Sequence, residues 1–383
     1  LKPSLNTSKN LSETDFSIDN ALNHLKKISK EAHYVGSKEH KKVQNYIVSE
    51  LQKMGFQTEI QTQTALNKKW FAATTAENII AKLKGTGSKK ALMLLTHYDS
   101  NPHSSLGASD AGSGVATILE GLRAFIAKNE TQKNDIVVLI SDAEELGLLG
   151  AQAFVDAHSW TKDIGLILNF EARGSGGPSY MLMETNGKNS KLLSEFLATK
   201  PNFPAANSLM YSIYKKLPND TDLTVFREKA NINGLNFAFI GDHFDYHTAR
   251  DSFDRMDRTS LLHQADYFTT SLNYFSNSDL TDLHSEEDFV YVNFPFIKLI
   301  TYPFSWVFPM VAFCGILFLL LLFFGISLSK VDLKGVLKGF IPFLISLILC
   351  SGISFGLWEL LLIIHPQYND ILHGFTYNGY HYI

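Results

Sequence analysis

A chain of 383 residues with a net charge of −4 is long enough for two or three domains and shows no basic footprint for nucleic acid. Its two cysteines, Cys314 and Cys350, both lie in an apolar carboxy-terminal stretch, which excludes disulfides and thiolate zinc sites from everything before it. A metal site there must use His, Asp and Glu. Along the chain, helical spacing falls on residues 25–32 and 41–54, the latter with Val43, Tyr46, Ile47 and Leu51 on one face. Residues 56–62 alternate as an edge strand. Apolar strand runs follow at 78–83 and 91–96, then a helix at 113–127, a strand at 135–141, a helix at 148–157 and strands at 164–170 and 234–240. Gly174–Gly177 reads as a turn. Strand–helix alternation with continuously apolar strands predicts an α/β fold, a mostly parallel central sheet with helices on both faces.

The end of the chain changes character. Segments 299–328 and 339–364 carry almost no charge, and each exceeds the roughly 20 apolar residues that span a bilayer. The expected layout is a globular domain over 1–280, a solvated acidic linker over 281–298, a membrane helix over 299–328, a loop over 329–338, a second membrane helix over 339–364 and a tail over 365–383, with both chain ends expected to be cuts. Lys330, Lys334 and Lys338 put the loop on the cytoplasmic side. The large domain and the tail then face the periplasm, exterior or a lumen. Tyr302, Trp306 and Trp358 fall near the outer ends, where interfacial aromatics belong.

The acids and histidines gather where strands end. His97 and Asp99 follow one apolar strand, Glu144 and Glu145 a second, and Glu171 closes a third. In open α/β sheets ligands bind outside the carboxyl ends of the strands, so three strand ends deliver metal-type side chains to one rim. Asp110, in Gly107-Ala-Ser-Asp-Ala-Gly-Ser-Gly114, is either a helix cap or a ligand that the small residues let approach a metal. Adjacent Glu144 and Glu145 are unfavourable without positive compensation; one can bind a metal while the other takes a proton from an activated water. Asp99 suits a partner orienting a ligating His97. His247 is the favoured later ligand and His243 a lesser one; His103, His158 and His263 have no constellation. Gly-x-Ser-x-Gly and phosphate-loop sequences do not occur in the part before the apolar tail.

These pieces, Thr-His97-Tyr-Asp99, Gly-Ala-Ser-Asp110-Ala-Gly-Ser-Gly114, Asp-Ala-Glu144-Glu145-Leu-Gly-Leu-Leu-Gly150 and Tyr246-His247-Thr-Ala-Arg-Asp251, resemble the M28 family of zinc peptidases over residues 15–275. Asn169-Phe-Glu171-Ala-Arg-Gly174 with membrane spans downstream is most similar to its multi-spanning endoplasmic-reticulum and vacuolar subgroup. The resemblance implies two Zn2+ per chain. Asp110 would bridge them, His97 and Glu171 would complete one site, and Glu145 and His247 the other. Glu144 would be the general base, Asp99 would orient His97, and the peptide after Asp110 would be cis-like. Many family members have Asp where this chain has Glu171. Tyr246 would steady the oxyanion. Arg173 and Arg250 would hold a substrate carboxylate or neutralise the acidic site, and pocket walls are expected from 209–226 and 237–246. The expected activity is exopeptidase, foremost aminopeptidase, with peptide substrates and a lipid bilayer as partners. A one-zinc glutaminyl-cyclase-like acyl transferase and a non-catalytic membrane receptor on the same scaffold are the alternatives.

Overall fold

The computed structural model describes residues 2–5, 11–87, 89–216 and 220–370. The chain divides into two compact units, Leu1–Tyr302 and Pro303–Ile383.

In the first unit, helices α1 (Ile18–Ile28) and α2 (Lys38–Lys53) lead into strands β1 (Gln57–Asn67), β2 (Ala72–Leu83) and β3 (Ala91–His97). Then come α3 (Gly114–Ala127), β4 (Ile136–Ser141), α4 (Leu149–Ala157), β5 (Ile164–Ala172), β6 (Gly176–Glu184), α5 (Ser190–Ala198), α6 (Ser208–Tyr214), α7 (Asp222–Ala230), β7 (Gly234–Gly241), α8 (Arg258–Phe275), β8 (Phe289–Phe294) and β9 (Ile297–Pro303). Seven strands form one sheet in the order β1-β2-β4-β3-β5-β7-β6. The four central strands β4, β3, β5 and β7 run parallel, while β1, β2 and β6 pair antiparallel at the edges. The sheet is thus mixed around a parallel centre. Every residue of β3 and β4 is buried, as strands covered on both faces must be. Edge strand β1 alternates instead and leaves most of its residues accessible.

Several boundaries differ from the sequence reading for local reasons. Helix α1 starts seven residues earlier than expected, because the Ser17 hydroxyl accepts from the Asn20 amide and caps it. Its buried stripe is Ile18, Ala21, Leu25 and Ile28. Only the first part of Gly174–Gly177 turns the chain; Gly176 already opens β6. The segment expected to be a linker packs down instead: Leu283 and Tyr291 are buried in the main core, and Asn207 bridges to Val292. Residues 299–303, expected to begin a membrane helix, form β9 against β8. An apolar run reads alike for strand and helix, and here Pro303 ends the strand.

The second unit holds α9 (Val307–Ser327) and α10 (Leu333–Ile364), followed by a short 3-10 turn at Pro366–Asp370. With a preceding turn from Phe304, these are two helices long and apolar enough to cross a membrane, at mean hydropathies of 2.8 and 2.2. Their apolar side chains are exposed all round, as a lipid-facing surface would be. Of the expected outer tail, residues 371–383 lie outside the described residues.

Candidate metal centre

Parallel pairing of β4, β3, β5 and β7 brings their carboxyl ends to one rim. His97 is the last residue of β3, and Glu144 and Glu145 stand just beyond β4. Glu171 lies one residue inside the end of β5, and the β3–β5 register, with Leu95 opposite Asn169, sets it level with His97. His247 follows β7 through a 3-10 turn at His243–Asp245 and adopts a left-handed φ of 55°. Asp110 sits in a kinked π-turn, Ala108–Ser113, ahead of α3; the peptide after it is cis, as the resemblance implies. Gly114 lets this turn nest on the sheet: a Cβ there would come 2.3 Å from Thr96 Oγ1 and 2.6 Å from the Phe170 carbonyl.

The side chains converge into two groups that share Asp110. His97, Asp110 and Glu171 present donor atoms within 4.8 Å of one another, and so do Asp110, Glu145 and His247. His97 Nε2 lies 3.2 Å from Asp110 Oδ1 and 3.6 Å from Glu171 Oε2. On the other side, His247 Nε2 lies 3.2 Å from Asp110 Oδ2 and 3.0 Å from Glu145 Oε2.

This crowding of carboxylates is costly when nothing positive lies between them. Burial pushes Glu145 up to about 7, with Asp110 adding to the rise, and burial likewise raises Glu144 well above the carboxylate range despite the opposing pull of His97. Burial works against a charged His97, yet Glu171, Glu144, Asp110 and Asp99 together outweigh it and raise its pKa well above normal. Burial also opposes a charged Asp110, but hydrogen bonds to His247 and His97 hold its pKa below the normal range. Glu145 Oε1 is buried without a hydrogen-bond partner among the described residues. A donor set of imidazole and carboxylate, closely spaced and partly orphaned, fits divalent zinc.

The surrounding shell fixes these groups. The His97 Nδ1–H donates to the Asp99 backbone carbonyl at 3.0 Å, which leaves Nε2 to face Asp110 and Glu171. The Asp99 carboxylate, 3.5 Å from Nδ1, accepts chiefly from the amides of Glu144 and Glu145 at 3.0 and 3.2 Å. Asp99 thus links two strand ends as well as supporting the histidine. Asp251 does the same for the turn: its carboxylate accepts from the Ser109 and Asp110 amides at 2.7 and 3.1 Å. Asn101, which sequence reasoning missed, donates to Glu145 Oε2 at 2.8 Å. Asp222, expected only within the 209–226 pocket wall, is buried at the start of α7 and bonds the Ser141 hydroxyl at the end of β4. Nothing local in the sequence marks Asp222; its partner Ser141 lies on a strand 81 residues earlier.

The remaining expected residues separate. Tyr246 stands beside His247, 3.4 Å from Arg173 Nη1, and burial keeps its phenol protonated. Arg173 also reaches the Asp220 carbonyl at 3.3 Å. His243 belongs to neither donor group and bonds the Arg173 carbonyl at 2.8 Å. Arg250 donates Nε to Asp245 at 3.0 Å, where Arg255 and Ser175 also bind. His103, His158 and His263 lie outside the two groups.

A rim of carboxylates and imidazoles on an α/β sheet of this topology defines the zinc-exopeptidase-like fold class. Solved structures sharing the fold include a leucine aminopeptidase precursor from Bacteroides thetaiotaomicron, with a TM-score of 0.54 and 19% identity over 70% of this chain and 100% of that one. Porphyromonas gingivalis glutaminyl cyclase is equally similar, with a TM-score of 0.55 and 19% identity over 69% of this chain and 98% of that one. At that identity the likeness concerns the fold. Residues 78–272 match Peptidase family M28, half of the chain, and the chain belongs to that metallopeptidase family. It is 35% identical over 222 residues to the vacuolar membrane protease of Candida dubliniensis, covering 57% of this chain and 23% of that protein. It is 32% identical over 212 residues to endoplasmic reticulum metallopeptidase 1 of Rattus norvegicus, covering 55% and 23%. The chain thus spans about a quarter of the length of these curated relatives.

Proposed function

We propose that this chain is a two-zinc exopeptidase, an aminopeptidase acting on short peptides at the outer or lumenal face of a membrane. The observation that carries the reading is the pair of donor groups sharing Asp110, with half-buried Glu144 next to Glu145. His97, Asp110 and Glu171 would hold one ion, and Asp110, Glu145 and His247 the second. Bound zinc would supply Lewis acidity to the scissile carbonyl and a water acidic enough to ionise near neutral pH. Glu144 would take the proton of the attacking water on its carboxylate and return it to the leaving amine. Asp99, through its carbonyl, keeps the His97 tautomer fixed, and through its carboxylate holds the Glu144 amide in register. The neutral Tyr246 phenol would donate to the developing oxyanion. Arg173 would contact substrate, whereas Arg250, paired to buried Asp245, would act structurally. The membrane unit would tether the domain, with the peptidase unit extending to about residue 302 rather than 280.

The test is Glu144→Gln together with chelation. The variant is expected to keep its full zinc content and lose about 100-fold or more in kcat. Chelator should abolish wild-type activity, and zinc should restore it. A variant that keeps both metals and full activity sinks the assignment of the base. One zinc per chain, with cyclisation of amino-terminal glutamine, would move the reading to the acyl-transfer alternative; both complete donor groups favour hydrolysis.

A further inference from the structure

Arg173 stands two residues beyond Glu171, at the wall of the candidate centre; Glu144 and Asp110 act on it through space, but among the described residues no carboxylate pairs with it directly. Its guanidinium carries five N–H donors. Its protein contacts are long: 3.4 Å to the Tyr246 hydroxyl and 3.3 Å to the Asp220 carbonyl. Its planar group lies 5.9 Å from the Tyr214 ring centre and 5.7 Å from that of Tyr246. The acidic side chains of the neighbouring elements are engaged elsewhere. Asp220 turns its carboxylate to Lys69 at 2.7 Å. Glu184 pairs with Arg227 at 2.9 Å, and Asp245 with Arg250 and Arg255. Asp99 is committed to two backbone amides.

The proposed hydrolase reading, on which this inference rests, sharpens the point. Three ligand carboxylates and Glu144 together only balance two divalent cations, so a loaded centre leaves no negative charge over for Arg173. A guanidinium held among tyrosines without an anion is costly, and the cost is recovered when one arrives. Arginine's planar fork suits a carboxylate in particular.

We propose that Arg173, flanked by Tyr214 and Tyr246, is a subsite for a substrate carboxylate within one residue of the scissile bond. Two sources share that chemistry: the α-carboxylate of a dipeptide, and an acidic side chain next to the cleaved bond. The enzyme is then selective for anionic short peptides.

The experiment uses the full chain in detergent, loaded with zinc, and matched peptide pairs. Ala-Phe is compared with Ala-Phe-amide for the α-carboxylate, and Glu-Phe-amide with Gln-Phe-amide for the side chain. We expect the anionic member of at least one pair to be preferred on the order of 30-fold or more in kcat/KM, mostly through KM. In Arg173→Gln that ratio should fall to about one, and in Arg173→Lys it should be intermediate. A wild-type ratio near one in both pairs overturns the proposal, and does so without any variant. An Arg173→Gln variant that loses rate on both members alike and keeps the ratio also overturns it, since Arg173 would then only position Tyr246. Binding of acetyl-Ala-Phe against its amide is measured in parallel by calorimetry. If nothing is cleaved but the acid binds preferentially through Arg173, the hydrolase reading fails and the carboxylate subsite stands.

Discussion

The Asp110 turn is held at residue scale by groups that never touch a donor cluster, and one of them makes the domain sensitive to acid. His33 is buried against the turn: a Cβ on Gly107 would lie 3.0 Å from its Cε1, and its amide donates to Ser100 Oγ at 2.9 Å. Burial lowers its pKa from 6.5 to about 4, against the opposing pull of the Glu31 carbonyl and Asp99. A histidine kept neutral in the folded state contributes stability above the unfolded pKa. As pH falls from 6.5 towards 4, the unfolded chain takes up a proton that the folded one refuses, so stability drops. The expected cost between pH 7 and pH 4.5 is about 2 kcal/mol from this residue. Urea unfolding of wild type and His33→Gln at the two pH values checks it. The variant should show a shallower loss, and parallel losses would mean that His33 is not the group responsible.

At the scale of elements, the centre depends on α3 meeting the sheet closely enough to aim Asp110. Gly114 makes that approach possible, since any side chain there meets Thr96 Oγ1 and the Phe170 carbonyl. Gly114→Ala should therefore destabilise the domain by about 1–3 kcal/mol through overpacking. It should also weaken zinc retention, because the turn bearing Asp110 must lift. Thermal unfolding and metal content measured on one preparation decide this; an unchanged melting temperature would refute the close-packing argument. The elements that build the rim are those the sequence displayed best. β3, β4 and β5 are unbroken apolar runs ending in His97, the Glu144–Glu145 pair and Glu171, so chemistry and structure share one signal. The second half of the domain was less legible. β6 hides behind Gly174–Gly177, and α5 to α8 were not resolved, because their apolar residues are interleaved with polar ones such as His263 and Gln264 that are buried with partners inside the fold. Asn101 was not singled out, and Asp222 and Tyr214 fell only within the 209–226 pocket-wall range without a role, for a related reason. Each matters through a neighbour distant in sequence, and spacing along the chain carries no trace of that.

At the scale of the whole molecule, the question is which side of a membrane the peptidase unit faces. Helix α10 is 32 residues long, about 48 Å at 1.5 Å per residue, against roughly 30 Å of hydrocarbon. Its first turns carry Lys334 and Lys338, so the excess length lies at that end and the apolar part begins near Gly339. Five residues, 328–332, separate α9 from α10, and a connection that short returns the chain across the bilayer. The start of α9 and the end of α10 then share one side, and the lysine-bearing loop lies on the other. Because basic loops stay cytoplasmic, the orientation we propose has the peptidase unit facing away from the cytosol. With Cys314 and Cys350 replaced by Ser, a cysteine at Ser329 should react with an impermeant maleimide only from the cytoplasmic face. A cysteine at exposed Ser12 should react only from the opposite face. Labelling of both from one side would break the two-span topology, and exchange of the two sides would invert the orientation while leaving the span count intact.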